Sequence, residues 1–123
     1  MRILDFAAQL RVPALCDIER WQAELDWQPF RAGVDAVRLH GSADAGSSAV
    51  LLRYLPGAGV PRHRHVGHEH ILVLAGSQTD DNGRASAGTF IVNRPGSEHS
   101  VISEDGCIVL VMYEQPVRFV GGA

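Results

Sequence analysis

The chain has 123 residues, 46% hydrophobic and 20% charged, which is typical of one globular domain with a single buried core. The net charge is −3 with neutral histidines, and all 11 basic residues are arginines without a basic stripe, so we expect no nucleic-acid partner. The longest apolar run, residues 107–113, is too short to cross a membrane, and the N-terminus lacks a secretory signal pattern. We therefore expect no membrane association and a cytoplasmic location.

Residues 1–24 are expected to form an N-terminal arm or extension. Apolar side chains recur there at spacings of three and four, which predicts a short amphipathic helix containing Leu15, Ile18, Trp21 and Leu25. Pro13 would occupy its first position. The alternative is an extended arm that packs on a sheet edge. Cys16 and Cys107 form neither a disulfide framework nor a C-x-x-C motif, and we expect both to be apolar core groups.

From Trp27 onward the pattern is one of strands and turns, so residues 25–123 are expected to form the main domain. Strands are predicted at 34–40, 49–55, 71–75, 89–92 and 107–112, with 117–120 closing the chain. Polar loops are predicted at 41–47 and 77–87, the second containing a hairpin-turn signal at 80–83. Short strands at this spacing indicate a sandwich or barrel. Two runs are apolar throughout, which indicates strands covered on both faces.

The most informative stretch is 59–76, where four of the six histidines fall within eight positions. His63 and His65 are two apart and would point to the same face of an extended strand. Glu69 follows after a short segment that suits a tight turn. Two imidazoles and one carboxylate on one face form a metal-ligand set of mixed nitrogen and oxygen character. The alternative is a polar, solvated loop without a metal.

A further ligand is expected from a later segment of the chain. About thirty residues on, a turn at Pro95-Gly96 is followed by His99 at the start of the next predicted strand. A histidine on a returning strand could complete a site of three histidines and one glutamate around a single metal ion. The alternative is that His99 is a surface residue.

These motifs resemble those of a known family. Gly59 through His65, with Glu69 and Gly76, resemble the first cupin motif, and residues 95–99 are similar to a shortened second motif. Over roughly residues 25–115 the chain most resembles the cupin domain of ChrR-type anti-sigma factors. The matching segments include W-Q-P-F-R-A-G-V at 27–34 and L-L-R-Y-L-P-G at 51–57.

The resemblance implies an all-β fold, a double-stranded β-helix of jelly-roll type that is commonly a homodimer. It implies one divalent metal ion per chain, iron, zinc, manganese or nickel, bound by His63, His65, Glu69 and His99. Residues 1–24 are too short for the helical zinc domain with which anti-sigma factors grip the sigma factor, so we do not expect a direct anti-sigma role.

Three other histidines are not assigned to the metal. His70 stands where family members often carry an acidic residue, and it should point away from the metal if Glu69 points inward. His68 stands where glycine is frequent, and either faces solvent or contacts the metal ligands or a substrate. His40 is outside the motifs and receives no role.

Two classes of function are compatible with such a site. The first is a metal-dependent dioxygenase or related enzyme that acts on a small organic molecule, with the metal as template and Lewis acid. The second is a non-catalytic module that senses a ligand or an oxidant, and in a third interpretation the metal only stabilises the barrel. Candidate polar groups for the barrel interior are few: Arg38, Arg53, Tyr54 and Glu98. The alternative is that these side chains lie on the surface. One of Arg53 and Tyr54 must face inward, because neighbours on a strand face opposite ways.

Overall fold

The computed structural model describes residues 2–122, and most of them lie in antiparallel strands. A short helix α1 (Ile18–Trp21) is flanked by 3-10 turns at Leu15–Asp17 and Gln22–Glu24, and a further 3-10 turn lies at Val120–Gly122. The strands are β1 (Leu4–Phe6), β2 (Gln9–Arg11), β3 (Gln28–Arg31), β4 (Val34–His40), β5 (Ser48–Tyr54), β6 (Ala58–Arg64), β7 (Glu69–Asp80), β8 (Gly83–Ser86), β9 (Phe90–Asn93), β10 (Glu98–Ser103), β11 (Cys107–Tyr113) and β12 (Arg118–Phe119). No helix within residues 2–122 is long and apolar enough to span a membrane.

The strands from β3 to β12 form one curled sheet that folds into two layers. One layer has the order β9-β7-β11-β5-β4-β3, and the other has the order β12-β6-β10-β7-β8. Strand β7 belongs to both layers and joins them. This is the jelly-roll double-stranded β-helix that the sequence resemblance implied.

Strand β7 changes layers at Gly76, which has a φ of +70°. A Cβ atom at this position would lie 2.1 Å from the carbonyl oxygen of Gly106, so the crossing requires glycine. The predicted loop at 77–87 is therefore wrong in its extent. Strand β7 continues to Asp80 and pairs with β8, and only the turn between them was predicted correctly. The strand does not end at Gly76. Only its apolar run ends there, because the strand enters the other layer.

The main core lies between the two layers. Side chains of alternate residues on β5 and β11 point into it, including Leu52 and Val109. Their neighbours Leu51 and Ile108 point to the outer face of the first layer and pack beneath the N-terminal segment. The apolar run at 71–75 divides in the same way, with Ile71 and Val73 in the core and Leu72 and Leu74 beneath the N-terminal segment. Both runs that are apolar throughout, 71–75 and 107–112, are thus covered on both sides, as the sequence predicted.

Within residues 2–24, the N-terminal segment follows the helical alternative and not the arm on a sheet edge. Helical turns at 15–24 place Ile18 and Trp21, 0% and 5% exposed, against the outer face of the sheet. The predicted helix is therefore confirmed, but the helical turns begin at Leu15 and Pro13 lies before them. Strands β1 and β2 form a separate, exposed hairpin that pairs with itself and not with the sheet edge. Cys16 is exposed, which corrects the prediction that both thiols are core groups, whereas Cys107 is buried.

The last two residues of β5 face opposite ways. Arg53 points outward, where its guanidinium lies 4.4 Å from the Trp27 ring and 3.0 Å from a carboxylate oxygen of Asp35. Arg53 Nη1 also donates to Gln22 Oε1 at 3.3 Å, which ties the N-terminal segment to the sheet. Tyr54 is 5% exposed and points into the core between the layers. Of this pair, Tyr54 is the one that faces the interior.

Candidate metal centre

The four residues proposed from the sequence spacing lie together on the inner wall. His63 is near the end of β6, His65 follows that strand directly, Glu69 opens β7, and His99 lies on β10 opposite His63. All four are buried, with exposed fractions between 1% and 7%. We call them the histidine–glutamate cluster. Each residue offers one ligand atom, and these atoms lie within 4.8 Å of one another, so the cluster could hold a metal ion.

The turn before β10 is fastened to the first motif by backbone hydrogen bonds. The His65 N–H donates to the Ser97 carbonyl at 2.9 Å, and the Gly96 N–H donates to the His65 carbonyl at 2.8 Å. The Pro95-Gly96 turn thereby fixes the register of β10 against β6, so that His99 lies opposite His63. This explains how residues more than thirty positions apart in the chain converge on one point.

Each histidine of the cluster uses its Nδ1 atom for a hydrogen bond to an oxygen outside the cluster. His63 Nδ1 lies 2.8 Å from the Pro61 carbonyl, and His65 Nδ1 lies 2.9 Å from the Ser97 hydroxyl. His99 Nδ1 lies 3.0 Å from Oδ2 of Asp80. An acceptor at Nδ1 places the proton there and leaves the lone pair on Nε2. All three rings therefore present Nε2 to a common centre.

At that centre, atoms with lone pairs face one another. The Nε2 atoms of His63 and His99 are 3.0 Å apart. His65 Nε2 lies 3.1 Å from Glu69 Oε1 but, among residues 2–122, has no hydrogen-bond partner, although it is fully buried. Buried acceptors crowded in this way require a proton or a cation between them. The donor set therefore fits a divalent metal ion.

The charge state of the cluster also suits a cation. Burial by itself would raise the pKa of Glu69, but nearby His65 and His63 and the Asn93 amide outweigh it and hold the pKa below its usual value. Asn93 Nδ2 donates to Glu69 Oε1 at 3.1 Å. Burial lowers the pKa of His63, outweighing its hydrogen bond to Pro61. An anionic carboxylate and a neutral imidazole are the forms that bind metals.

Three residues of the cluster, His63, Glu69 and His99, form part of the wall of a cavity of about 360 Å³ between the two layers. Most of the lining is apolar, and it comes from both layers and from the segment after β11: Phe30, Val50, Leu52, Val60, Ile71, Val101, Val111, Pro116, Val117 and Phe119. A small organic molecule placed there would lie beside the cluster.

A few other polar side chains line the cavity. Gln78 is 2% exposed, and its Nε2 has no hydrogen-bond partner within the described part of the chain. Burial, together with nearby Glu69, keeps the pKa of the Tyr54 hydroxyl above its usual value, so the phenol stays protonated and can donate. Arg31 lies over the Phe119 ring at 4.8 Å. Among the described lining residues outside the cluster, Arg31 is the only one with a charged side chain.

Two of the polar candidates from the sequence lie elsewhere. Glu98 is exposed and pairs with Arg62 at 3.4 Å, so it follows the alternative of a surface side chain. Arg38 bonds the Ser48 hydroxyl and lies 3.4 Å from the Tyr113 hydroxyl, so it does not line the cavity but contacts a residue that does.

The remaining histidines lie outside the cluster. The side chain of His68 is 47% exposed and pairs with Glu114 at 2.7 Å, which agrees with the solvent-facing interpretation. His70 stacks on Phe90 with ring centroids 5.6 Å apart, on the face of β7 opposite Glu69, as expected. His40 is exposed at the end of β4.

Sequence reasoning missed Asp80, Asn93 and Gln78 as parts of the site. Asn93 pairs directly across from Glu69, and Gln78 and Asp80 lie on the half of β7 that was taken for a loop. The turn signal at 80–83 did indicate a hairpin, but not that the first strand of this hairpin is largely buried. No local pattern indicates that the first residue of the turn contacts a histidine nineteen positions away.

Comparison with known proteins agrees with this architecture. The profile of the family described as ChrR Cupin-like domain matches residues 18–117. The chain is 33% identical to the anti-sigma-E factor ChrR of Cereibacter sphaeroides over 117 residues, 91% of this chain and 54% of that protein. It thus spans about half the length of that curated relative.

Solved structures with the same fold include the complex of Rhodobacter sphaeroides SigE with the anti-sigma ChrR, with a TM-score of 0.64, 30% identity and coverage of 73% of this chain and 49% of that one. A putative acetylacetone dioxygenase from Methylibium petroleiphilum has a TM-score of 0.73 at 22% identity, covering 80% and 77%. An acetylacetone dioxygenase from Acinetobacter johnsonii has a TM-score of 0.70 at 18% identity, covering 76% and 71%. At these identities the two dioxygenases show a likeness of fold.

Proposed function

We propose that this chain, which belongs to the ChrR cupin-like domain family, holds one divalent metal ion on the histidine–glutamate cluster and acts on a small organic molecule as a metal-dependent dioxygenase or related enzyme. The ligands would be His63, His65, Glu69 and His99. One observation carries the proposal: the cluster is part of the wall of an apolar cavity large enough for a small molecule. Iron, manganese, nickel or zinc bound there would supply a Lewis acid and a template for substrate oxygens.

The cavity favours a particular class of ligand. Its largely apolar lining offers few hydrogen-bond partners, so a sugar with many hydroxyl groups would leave most of them unpaired. The cationic Arg31 favours a ligand with negative charge or with oxygens that can acquire it. A small, mostly apolar molecule with an enolisable carbonyl or a carboxylate meets these conditions, and the diketone in the names of two structural neighbours is of this kind.

The side chains of the cavity would orient such a ligand. Tyr54 can donate a hydrogen bond from its protonated hydroxyl, and Gln78 can donate from its unpartnered amide. Both donors suit a carbonyl or carboxylate oxygen. The apolar walls exclude water and strengthen these polar contacts.

The similarity to ChrR favours a second candidate, a non-catalytic metal-binding module that senses a ligand or an oxidant. In this case the same cavity would bind a molecule without turning it over. Contact with a sigma factor, as in the solved ChrR complex, would need a surface outside the cluster.

The test combines metal analysis and oxygen uptake. Protein purified without chelator should carry about one divalent metal per chain by elemental analysis. Iron(II)-loaded protein should consume dioxygen with acetylacetone or a related diketone, and His63→Ala should not, whereas His68→Ala should behave like wild type. Absence of metal uptake from iron, manganese, nickel or zinc would refute the metal site. Ligand-induced thermal stabilisation without oxygen consumption across a diketone panel would favour the sensor.

The same proposal includes three expectations about domain division, oligomeric state and location in the cell. Residues 1–24 would be an extension docked on a cupin barrel formed by residues 25–123, the protein would be a homodimer, and it would work in the cytoplasm. Light scattering coupled to size-exclusion chromatography tests the dimer, because a monomer mass at micromolar concentration contradicts it.

A further inference from the structure

The hairpin of β7 and β8 places a buried carboxylate directly behind the histidine–glutamate cluster. Asp80 Oδ2 lies 3.0 Å from His99 Nδ1, and the two side chains are 8% and 3% exposed. Building on the metal site proposed above, we infer that Asp80 is a positioning residue that fixes the ring and tautomer of His99 for metal binding. Asp80 does not itself touch the metal.

The turn of the hairpin orients the Asp80 carboxylate. The Asn82 N–H donates to Asp80 Oδ1 at 2.8 Å, which leaves Oδ2 directed at His99. Aspartate at the first position of such a turn commonly bonds the backbone two residues on. Both carboxylate oxygens are therefore partnered, and the side chain has little freedom to move away from the imidazole.

A surface ion-pair network also joins the hairpin to the strands that carry the histidines, but its side chains are partly exposed, so each pair contributes little to stability. Arg62 on β6 pairs with Asp81 at 2.9 Å and with Glu98 on β10 at 3.4 Å. The Ser100 N–H lies 3.4 Å from Asp81 Oδ1. Asp81 is exposed and contacts no histidine nitrogen, so it is a natural control for its neighbour Asp80.

His99 is the one histidine of the cluster whose Nδ1 faces a carboxylate. The Nδ1 atoms of His63 and His65 meet a neutral carbonyl and the neutral oxygens of Ser97. An anionic acceptor makes a stronger hydrogen bond and raises the basicity of the opposite nitrogen. His99 is thus expected to be the strongest imidazole donor of the cluster, although it comes from the more distant motif.

Strand β7 then has two roles in the site. Its first residue, Glu69, belongs to the cluster, and its last residue, Asp80, supports His99 from behind. The crossing of β7 between the layers at Gly76 makes this possible, because it places the first half of the strand beside the cluster and the second half behind His99.

The experiment compares wild type, Asp80→Asn and Asp81→Asn. Zn²⁺ affinity is measured by competition with a chromogenic chelator, and the His99 tautomer is read from ¹⁵N chemical shifts of the metal-free protein. Loss of a partner of this kind typically weakens metal binding by about 10–100-fold. We expect that loss for Asp80→Asn, with His99 no longer held as the Nδ1–H tautomer. Asp81→Asn should bind within about threefold of wild type, since it lacks any contact with a histidine nitrogen.

The outcomes separate this inference from the proposed metal site. An Asp80→Asn protein that binds Zn²⁺ like wild type overturns the role of Asp80 alone. A wild-type protein that takes up no Zn²⁺ overturns the metal site itself. The wild-type tautomer requires no variant, so it still decides the question if Asp80→Asn fails to fold: a His99 ring that carries no proton at Nδ1 in the metal-free protein would overturn the inference.

Discussion

Replacing His99 with alanine separates the contribution of the metal from that of the fold. His99 is 2% exposed, bonds Asp80 and lies 3.0 Å from the Nε2 of His63. The substitution removes a proposed ligand and also leaves Asp80, a buried carboxylate, without its partner. We therefore expect two losses, one that depends on metal and one that persists in the metal-free protein.

Both losses can be estimated. A ligand that binds only the folded state at 100 times its Kd stabilises it by about 2.7 kcal/mol. For a domain of this size 1 kcal/mol corresponds to roughly 4 °C in Tm, so wild type should gain about 10 °C with Zn²⁺. An unpartnered buried polar group costs about 1–3 kcal/mol, so His99→Ala should melt roughly 4–12 °C lower even in chelator.

The assay is thermal unfolding by circular dichroism, with Zn²⁺ and with excess chelator, for wild type, His99→Ala and His68→Ala. His68 pairs with Glu114 at 2.7 Å, but its side chain is 47% exposed, so its loss should change stability by about 0.5 kcal/mol or less. The decisive quantity is the Tm gained on adding Zn²⁺. If His99→Ala gains as much as wild type, His99 is not a ligand, and the site reduces to the other three residues.

Three further predictions follow from buried groups. Because folding lowers the pKa of both His63 and Glu69, the unfolded chain binds more protons, so metal-free stability should fall as the pH drops below about 6.5 and further below about 4.5. Urea titrations in chelator that give the same free energy of unfolding at pH 8 and pH 5 would contradict this. Gln78→Leu removes an amide whose nitrogen has no partner, so the Tm of the ligand-free protein should stay the same or rise by a few degrees. The same substitution should weaken the binding of a ligand that carries oxygen atoms. A clear fall in Tm would show that the amide is paired. Trp21→Ala should lower the free energy of unfolding in urea by about 3–5 kcal/mol but leave Zn²⁺ affinity unchanged. Phe6 is 54% exposed, so Phe6→Ala should barely change the free energy of unfolding. Loss of Zn²⁺ uptake in folded Trp21→Ala would mean that the extension is part of the site.

The candidate cluster could be predicted from the sequence because its signals are local. Two histidines at a spacing of two must share a strand face, and the turn before His99 is recognisable from Pro95-Gly96. The alternation that makes Tyr54 face inward and Arg53 outward follows from the same two-residue period. The helical spacing of Ile18 and Trp21 likewise predicted which side chains are buried. Each of these inferences needs only the geometry of a few consecutive residues.

The tertiary structure decided what depends on pairing between distant segments. The polar half of β7 resembles a loop because Ser77, Gln78 and Asp80 lack the apolar character of a buried strand. They are buried because Gly76 lets the strand cross into the second layer, where Gln78 lines the cavity and Asp80 bonds His99. The partners Asp80 and Asn93 belong to the same class, since a hydrogen bond between strands leaves no periodic trace in the sequence. Spacing along one strand determined which residues could be ligands, and the closure of the barrel determined which residues hold them in place.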